Sequence, residues 1–123
     1  MTSVHHLIAA SRVEGAPVFS AKGDKLGKID DLLIEKVSGK AVYALMSFDG
    51  FLGSGQRYFP VPWSLLDYDE AKGGYMTPLT KDQIENGHSV GDREVEDEVA
   101  WREQVHAYYN VAPYWAVAAG TAY

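Results

Sequence analysis

The sequence predicts a mainly β protein: a small closed six-stranded β-barrel that carries a C-terminal α-helix and an aromatic tail. Three observations lead there. Six short apolar or aromatic runs fall between residues 16 and 77, parted by glycine-bearing turns, which is the spacing of a small closed all-β fold. A glycine loop at Gly50, Gly53 and Gly55 leads into Val61-Pro62-Trp63, and this stretch reads as the barrel seam. After Pro78 the apolar period changes from two residues to the three or four of a helix. Closing the sheet would also remove its exposed edges.

Each element has its own signal. Residues 4–10 read as an extended N-terminal segment, and Ser11 to Glu14 as a single turn ended by Gly15. Residues 16–20 form the first strand, with Pro17 at its start, where a missing donor is tolerated. The turn cluster 21–25 joins it to a second strand over 26–36. There Ile29, Leu32 and Ile34 break strict alternation, so a bulge near Asp30-Asp31 or burial on both faces is expected. Ser38-Gly39-Lys40 is a tight turn. The run 41–49 then sets Val42, Ala44, Met46 and Phe48 on one face and Tyr43, Leu45 and Ser47 on the other, both apolar, as in a covered central strand. Strands at 57–62 and 63–68, a turn at 70–74 and a closing strand at 75–77 complete the six.

Thr80 with Gln83 three residues later makes a capping box opening a short helical turn to Asn86-Gly87. Residues 92–109 read as one long helix. Asp92, Glu94, Glu96, Asp97 and Glu98 crowd its first turns, where the helix dipole favours anions. Val95, Val99, Arg102 and His106 line one stripe; Trp101, Val105, Tyr108 and Tyr109 line the next. Pro113 is expected to stop the helix, and residues 111–123 carry no charged side chain. The barrel with its N-terminal segment thus occupies residues 1–79. Residues 80–123 are an appendage of the same domain.

At 123 residues there is room for one modest core. The absence of cysteine removes disulfides, thiolate catalysis and cysteine-bound metals, and fits a reducing cytoplasm. The net charge of -6 argues against binding nucleic acid phosphates. Residues 1–90 hold 9 Lys and Arg against 11 Asp and Glu, while residues 91–123 hold 2 against 6, so the acid excess lies in the C-terminal third. No apolar run reaches the roughly 18–20 residues that span a bilayer, and no basic-then-apolar leader opens the chain. The expected location is cytoplasmic.

Four stretches carry a resemblance: Leu26-Gly27-Lys28-Ile29-Asp30-Asp31, Ser38-Gly39-Lys40, Gly50-Phe51-Leu52-Gly53-Ser54-Gly55 and Val61-Pro62-Trp63-Ser64. Together they resemble the PRC-barrel domain, in order and spacing, over about residues 7–79. That family is named for the cytoplasmic domain of the photosynthetic reaction centre H subunit. It includes a domain of a ribosome maturation factor and many small stand-alone bacterial proteins. The ending from Val105 to Trp115 is similar to the tail of some stand-alone members. No membrane anchor of the H-subunit kind and no RNA-processing partner domain is found in the sequence. The resemblance implies a fold used for docking and assembly, without family-wide catalytic residues. Gly27, Gly39, Gly50, Gly53, Gly55, Val61, Pro62 and Trp63 are its structural signature.

No catalytic constellation is legible, and the chain is not expected to be an enzyme or to need a cofactor. The glycine loop is followed by a strand rather than by the helix N-terminus a phosphate cradle requires. Asp30-Asp31 and Asp67-Asp69-Glu70 offer oxygen ligands, but adjacent strand residues point to opposite faces, so turn or solvent-facing roles fit better. His5, His6, His88 and His106 are the only imidazoles, too dispersed for a metal site. The expected contact surface is Trp101, Val105, Tyr108, Tyr109, Pro113, Tyr114 and Trp115, residue types that include those enriched at interface hot spots. These side chains either meet a partner or cover the barrel of their own chain. The expected function is a non-enzymatic interaction module, with a second copy as the simplest partner in a homodimer. An accessory role in a membrane electron-transfer or photosynthetic complex, with indirect membrane contact, is one alternative. A small-molecule or metal-binding barrel is the other.

Overall fold

Short strands, each ended by a glycine or polar turn, assemble into one curled sheet. The structure is a computed structural model that describes residues 6–48 and 57–116, with the backbone alone at Arg93. Gly50, Gly53, Gly55, His5 and the last seven residues of the tail therefore lie outside the described residues. The elements are α1 (Ala10–Val13), β1 (Pro17–Phe19), β2 (Lys25–Ile34), β3 (Ala41–Ser47), β4 (Phe59–Pro62), β5 (Asp67–Asp69), β6 (Gly74–Met76), α2 (Lys81–Glu85) and α3 (Arg102–Tyr109). The sheet order is β4-β3-β2-β1-β6-β5, antiparallel except where β1 lies parallel to β6.

The expected bulge is present: the β2–β3 register shifts between Ile29 and Asp31, and again between Leu33 and Ile34. The β2–β3 side is drawn tight at Gly27, where an added Cβ would collide with the Ser47 carbonyl oxygen of β3. Only glycine lets the two backbones approach so closely. Gly39 turns the chain between β2 and β3 at φ +76°.

The interior of the curl is apolar. It gathers Val18 of β1, Ile29 of β2, Ala44 and Met46 of β3, Phe59 and Val61 of β4 and Tyr75 of β6, with Val13 and Ile84 brought in by α1 and α2. Both bonds of the predicted capping box form at α2: Gln83 N–H donates to Thr80 Oγ1 at 3.1 Å, and Thr80 N–H donates to Gln83 Oε1 at 2.8 Å.

Two expectations change. The mainly β, six-stranded architecture stands, but among the described residues no ladder joins β4 to β5; a 3-10 turn, Trp63–Leu65, bridges them instead of the strand expected at 63–68. β4 supplies the reason. Residues two apart present their N–H groups to the same side of a strand. Pro60 and Pro62 therefore leave one side of β4 without those donors, a side that proline tolerates only at an edge. The second change concerns residues 92–109. They do not form one helix but two 3-10 turns, Asp92–Glu94 and Glu98–Ala100, and then the eight-residue α3. Crowded carboxylates and the β-branched Val95 and Val99 weaken helix here. Trp101 then breaks it at φ -125°, turning its ring into the core. The helix stops at Asn110 in the left-handed conformation, φ 55°, three residues before Pro113.

Candidate functional site

Strand alternation gives β3 two working faces. Ala44 and Met46 face the interior, whereas Tyr43 and Leu45 face outward into a second cluster with Val42, Val90, Trp101, Val105 and Tyr114. Val42, expected to share the inner face, belongs to this outer group. Over it lies α3, with Trp101 at its N-cap and Val105 one turn on, both buried. Trp101 is fixed at both ends: its Nε1–H donates to the Glu94 carbonyl at 2.9 Å, and its ring centroid lies 5.2 Å from that of Tyr43. His88 stacks on its other side at 6.1 Å.

His106 sits at the junction of helix, sheet and tail. Its Nδ1 lies 3.2 Å from the Val111 carbonyl, which can only accept, so Nδ1 carries the proton. Its Nε2 is then the acceptor for the Tyr43 hydroxyl at 2.6 Å. Burial pulls the imidazole pKa below its usual value, with a smaller push in the same direction from Arg102. The Val111 and Ala112 carbonyls and Glu98 oppose that shift. The ring is therefore held neutral in one tautomer.

Beyond Asn110 the chain turns back. The N–H of Asn110 donates to the Ala107 carbonyl and that of Val111 to the His106 carbonyl, which returns the tail across the outer face of β3. Tyr114 is buried, its ring 5.9 Å from Tyr43. Its hydroxyl donates to Glu98 Oε2 at 2.5 Å and accepts from Arg102 Nη1 at 3.3 Å. Burial first, then the Glu98 carboxylate, pushes the Tyr114 pKa up to about 12. The Arg102 guanidinium lies 4.2 Å over the half-buried Trp115 ring and 3.7 Å from Glu98.

Of the seven predicted contact residues, Trp101, Val105 and Tyr114 thus serve the chain's own core. Pro113 and Trp115 stay half-exposed on the returning tail. Tyr108 and Tyr109 form a separate pair over Gly87, with centroids 4.9 Å apart; Tyr108 donates to the Gln83 carbonyl at 2.7 Å. An added Cβ at Gly87 would meet Tyr109 Oη at 2.9 Å. That hydroxyl is buried without a hydrogen-bond partner, and burial drives its pKa upward.

The signature residues are architectural where described: Val61 and Pro62 are buried, and Trp63 packs on Tyr75 at 5.1 Å. The acidic pairs behave as turn and bulge residues. Asp31 Oδ1 accepts from Leu32 N–H at 2.8 Å, and Asp69 Oδ1 from Lys72 N–H at 3.1 Å. Among the described residues no three His, Asp or Glu side chains converge as a metal site, and no helix is long and apolar enough to cross a membrane.

One feature escaped the sequence reading. A cleft of about 640 Å³ opens between the end of β2 with its turn, the 95–98 stretch and the rings of Tyr114 and Trp115. Val37 and Ile34, which line it, are 96% and 50% exposed. A valine inside the polar turn Glu35-Lys36-Val37-Ser38-Gly39-Lys40 was the available signal. The Tyr43–His106 pair, 63 residues apart, left none.

Comparison with known proteins gives two results. The PRC-barrel domain family matches residues 5–84. An uncharacterized protein of Deinococcus radiodurans is 33% identical over 72 residues, covering 58% of this chain. The match spans 25% of that protein's length, so the relative is much longer than the region shared.

Proposed function

The chain belongs to the PRC-barrel domain family, and on that premise we propose that it is a non-enzymatic, cytoplasmic protein-interaction module that self-associates. The observation that carries this reading is the pair of exposed apolar side chains Ile34 and Val37 lining an open cleft, on the outer face rather than in the interior. Exposed apolar side chains on the wall of a cleft mark interaction sites more often than isolated exposed residues do. The contact surface moves accordingly. Trp101, Val105 and Tyr114 support it from beneath, and Trp115 borders it. We also read the curled sheet as a barrel completed by side-chain packing, since residues of β1, β2, β3, β4 and β6 share one interior cluster across the unladdered β4–β5 seam.

Light scattering on the full chain over a range of concentrations tests the function. Mass rising toward a dimer, and reduced by Val37→Asp at unchanged melting temperature, supports the module. A monomer throughout removes self-association. Co-sedimentation with membranes would favour an accessory role in a membrane electron-transfer complex. Thermal stabilisation by a ligand or divalent ion would favour a binding barrel.

A further inference from the structure

We propose that His106 is a latch for the tail: when its ring takes up a proton, residues 111–116 leave β3 while the curled sheet stays folded. The latch is independent of self-association. His106 grips Val111 by both main-chain groups. Its carbonyl accepts from Val111 N–H at 3.1 Å, and its Nδ1–H donates to the Val111 carbonyl at 3.2 Å. The other ring nitrogen, Nε2, accepts from the Tyr43 hydroxyl of β3 at 2.6 Å. One neutral imidazole therefore ties the returning tail to the sheet, in a single tautomer.

Protonation breaks that arrangement. An imidazolium has two donors and no acceptor, so Tyr43 must turn its hydroxyl proton away and a residue only 6% exposed must hold a charge. The groups that face the ring are Tyr43 from β3, Arg102 from α3, Glu98 from the 3-10 turn before it and Tyr114 from the tail. Burial is the largest cost of the charged form, and Arg102 adds to it; the Val111 and Ala112 carbonyls and Glu98 offset part. The tail is the element that yields. None of its described residues packs in the interior of the curl, and in the outer cluster Tyr114 is its one fully buried side chain. A cavity of about 60 Å³ lies where it meets the sheet, lined by Ala112 and Tyr114 with His106, Trp63 and Ser64. Atoms that face a void forgo packing contacts. Asn110, left-handed at φ 55°, is the pivot. Lifting the tail takes the Tyr114 ring off Tyr43, so acid presents the aromatic outer face of β3 to solvent.

Hydrogen exchange on the full chain between pH 8 and pH 5, with each amide's rate compared with its intrinsic rate at the same pH, tests the latch. Val111 N–H reports the tail; Ile29 N–H, bonded to the Ala16 carbonyl at 2.9 Å, reports the interior. The ring binds its proton more weakly with the tail closed than open, so closure is fully favoured above about pH 6.5 and weakens below it. Opening at Val111 is expected to rise about tenfold per pH unit below that point, until the buried ring itself titrates. Ile29 should stay about tenfold or more better protected than Val111 at every pH. His106→Gln cannot titrate and should abolish the slope, whereas His88→Gln, which removes the imidazole stacked on Trp101, should keep it. Flat protection at Val111 overturns the latch. Equal protection at Val111 and Ile29 also overturns it, because the tail then leaves only when the whole chain unfolds. So does a slope that survives in His106→Gln. The comparison of Val111 with Ile29 uses the parent chain alone, so it decides even if a variant does not fold.

Discussion

The interior of the curl and the outer face of β3 are both buried, but they are buried by different means. Inside, the side chains are almost wholly apolar, and packing alone specifies them. Outside, five aromatic or imidazole rings meet through polar handles: Tyr43 with His106, Tyr114 with Glu98, Arg102 with Trp115 and Trp101 with the Glu94 carbonyl. A hydrophobic interior tolerates variation in shape and ignores pH. A hydrogen-bonded aromatic layer fixes one arrangement and responds to protons.

Four experiments would break or sharpen this contrast. The largest effect is expected from Trp101→Ala, which empties the centre of the outer layer and should lower the unfolding free energy by about 3–5 kcal/mol in urea titration. A loss below about 1 kcal/mol would mean the outer layer is not a second core. Next comes Tyr43→Phe. It keeps the ring and strands the buried His106 Nε2, so a loss of about 1–3 kcal/mol is expected, and a neutral result would contradict the polar-handle account.

The interior control is smaller. Ile29→Val should cost about 0.5–1.5 kcal/mol, by the same amount at pH 5 and pH 8. A pH-dependent loss there would erase the distinction. The smallest effect is the pH slope of the parent chain. Burial lowers the pKa of His106 on folding from the ordinary imidazole value of about 6.5, so the unfolded chain takes up the proton first as acid is added. Stability should therefore be full above about pH 6.5 and decline below it, until the folded-state pKa is passed. The groups facing the ring are Tyr43, Tyr114, Arg102 and Glu98. Unfolding midpoints for the parent and His106→Gln should show the slope in the first and its reduction in the second.

The contrast also explains what the sequence made legible. The six strands could be read because glycine turns and period-two patterns are local, and the β2 bulge because Ile29 and Leu32 sit out of step. The segment 92–109 was misread because its helical pattern is also local, whereas the burial of Trp101 beneath Tyr43 that breaks it is not. For the same reason no count of residues foretold the return of Tyr114 onto β3. The missing β4–β5 ladder among the described residues has a local signal too, the two prolines two apart in β4. The aromatic tail reads as a contact element, but whether it turns inward or outward depends on the left-handed Asn110.

Those prolines have a further consequence. A strand edge that lacks amide hydrogens at alternate positions makes a poor template for another molecule's strand. Edge-to-edge polymerisation through β4 is therefore disfavoured even in a crowded cell.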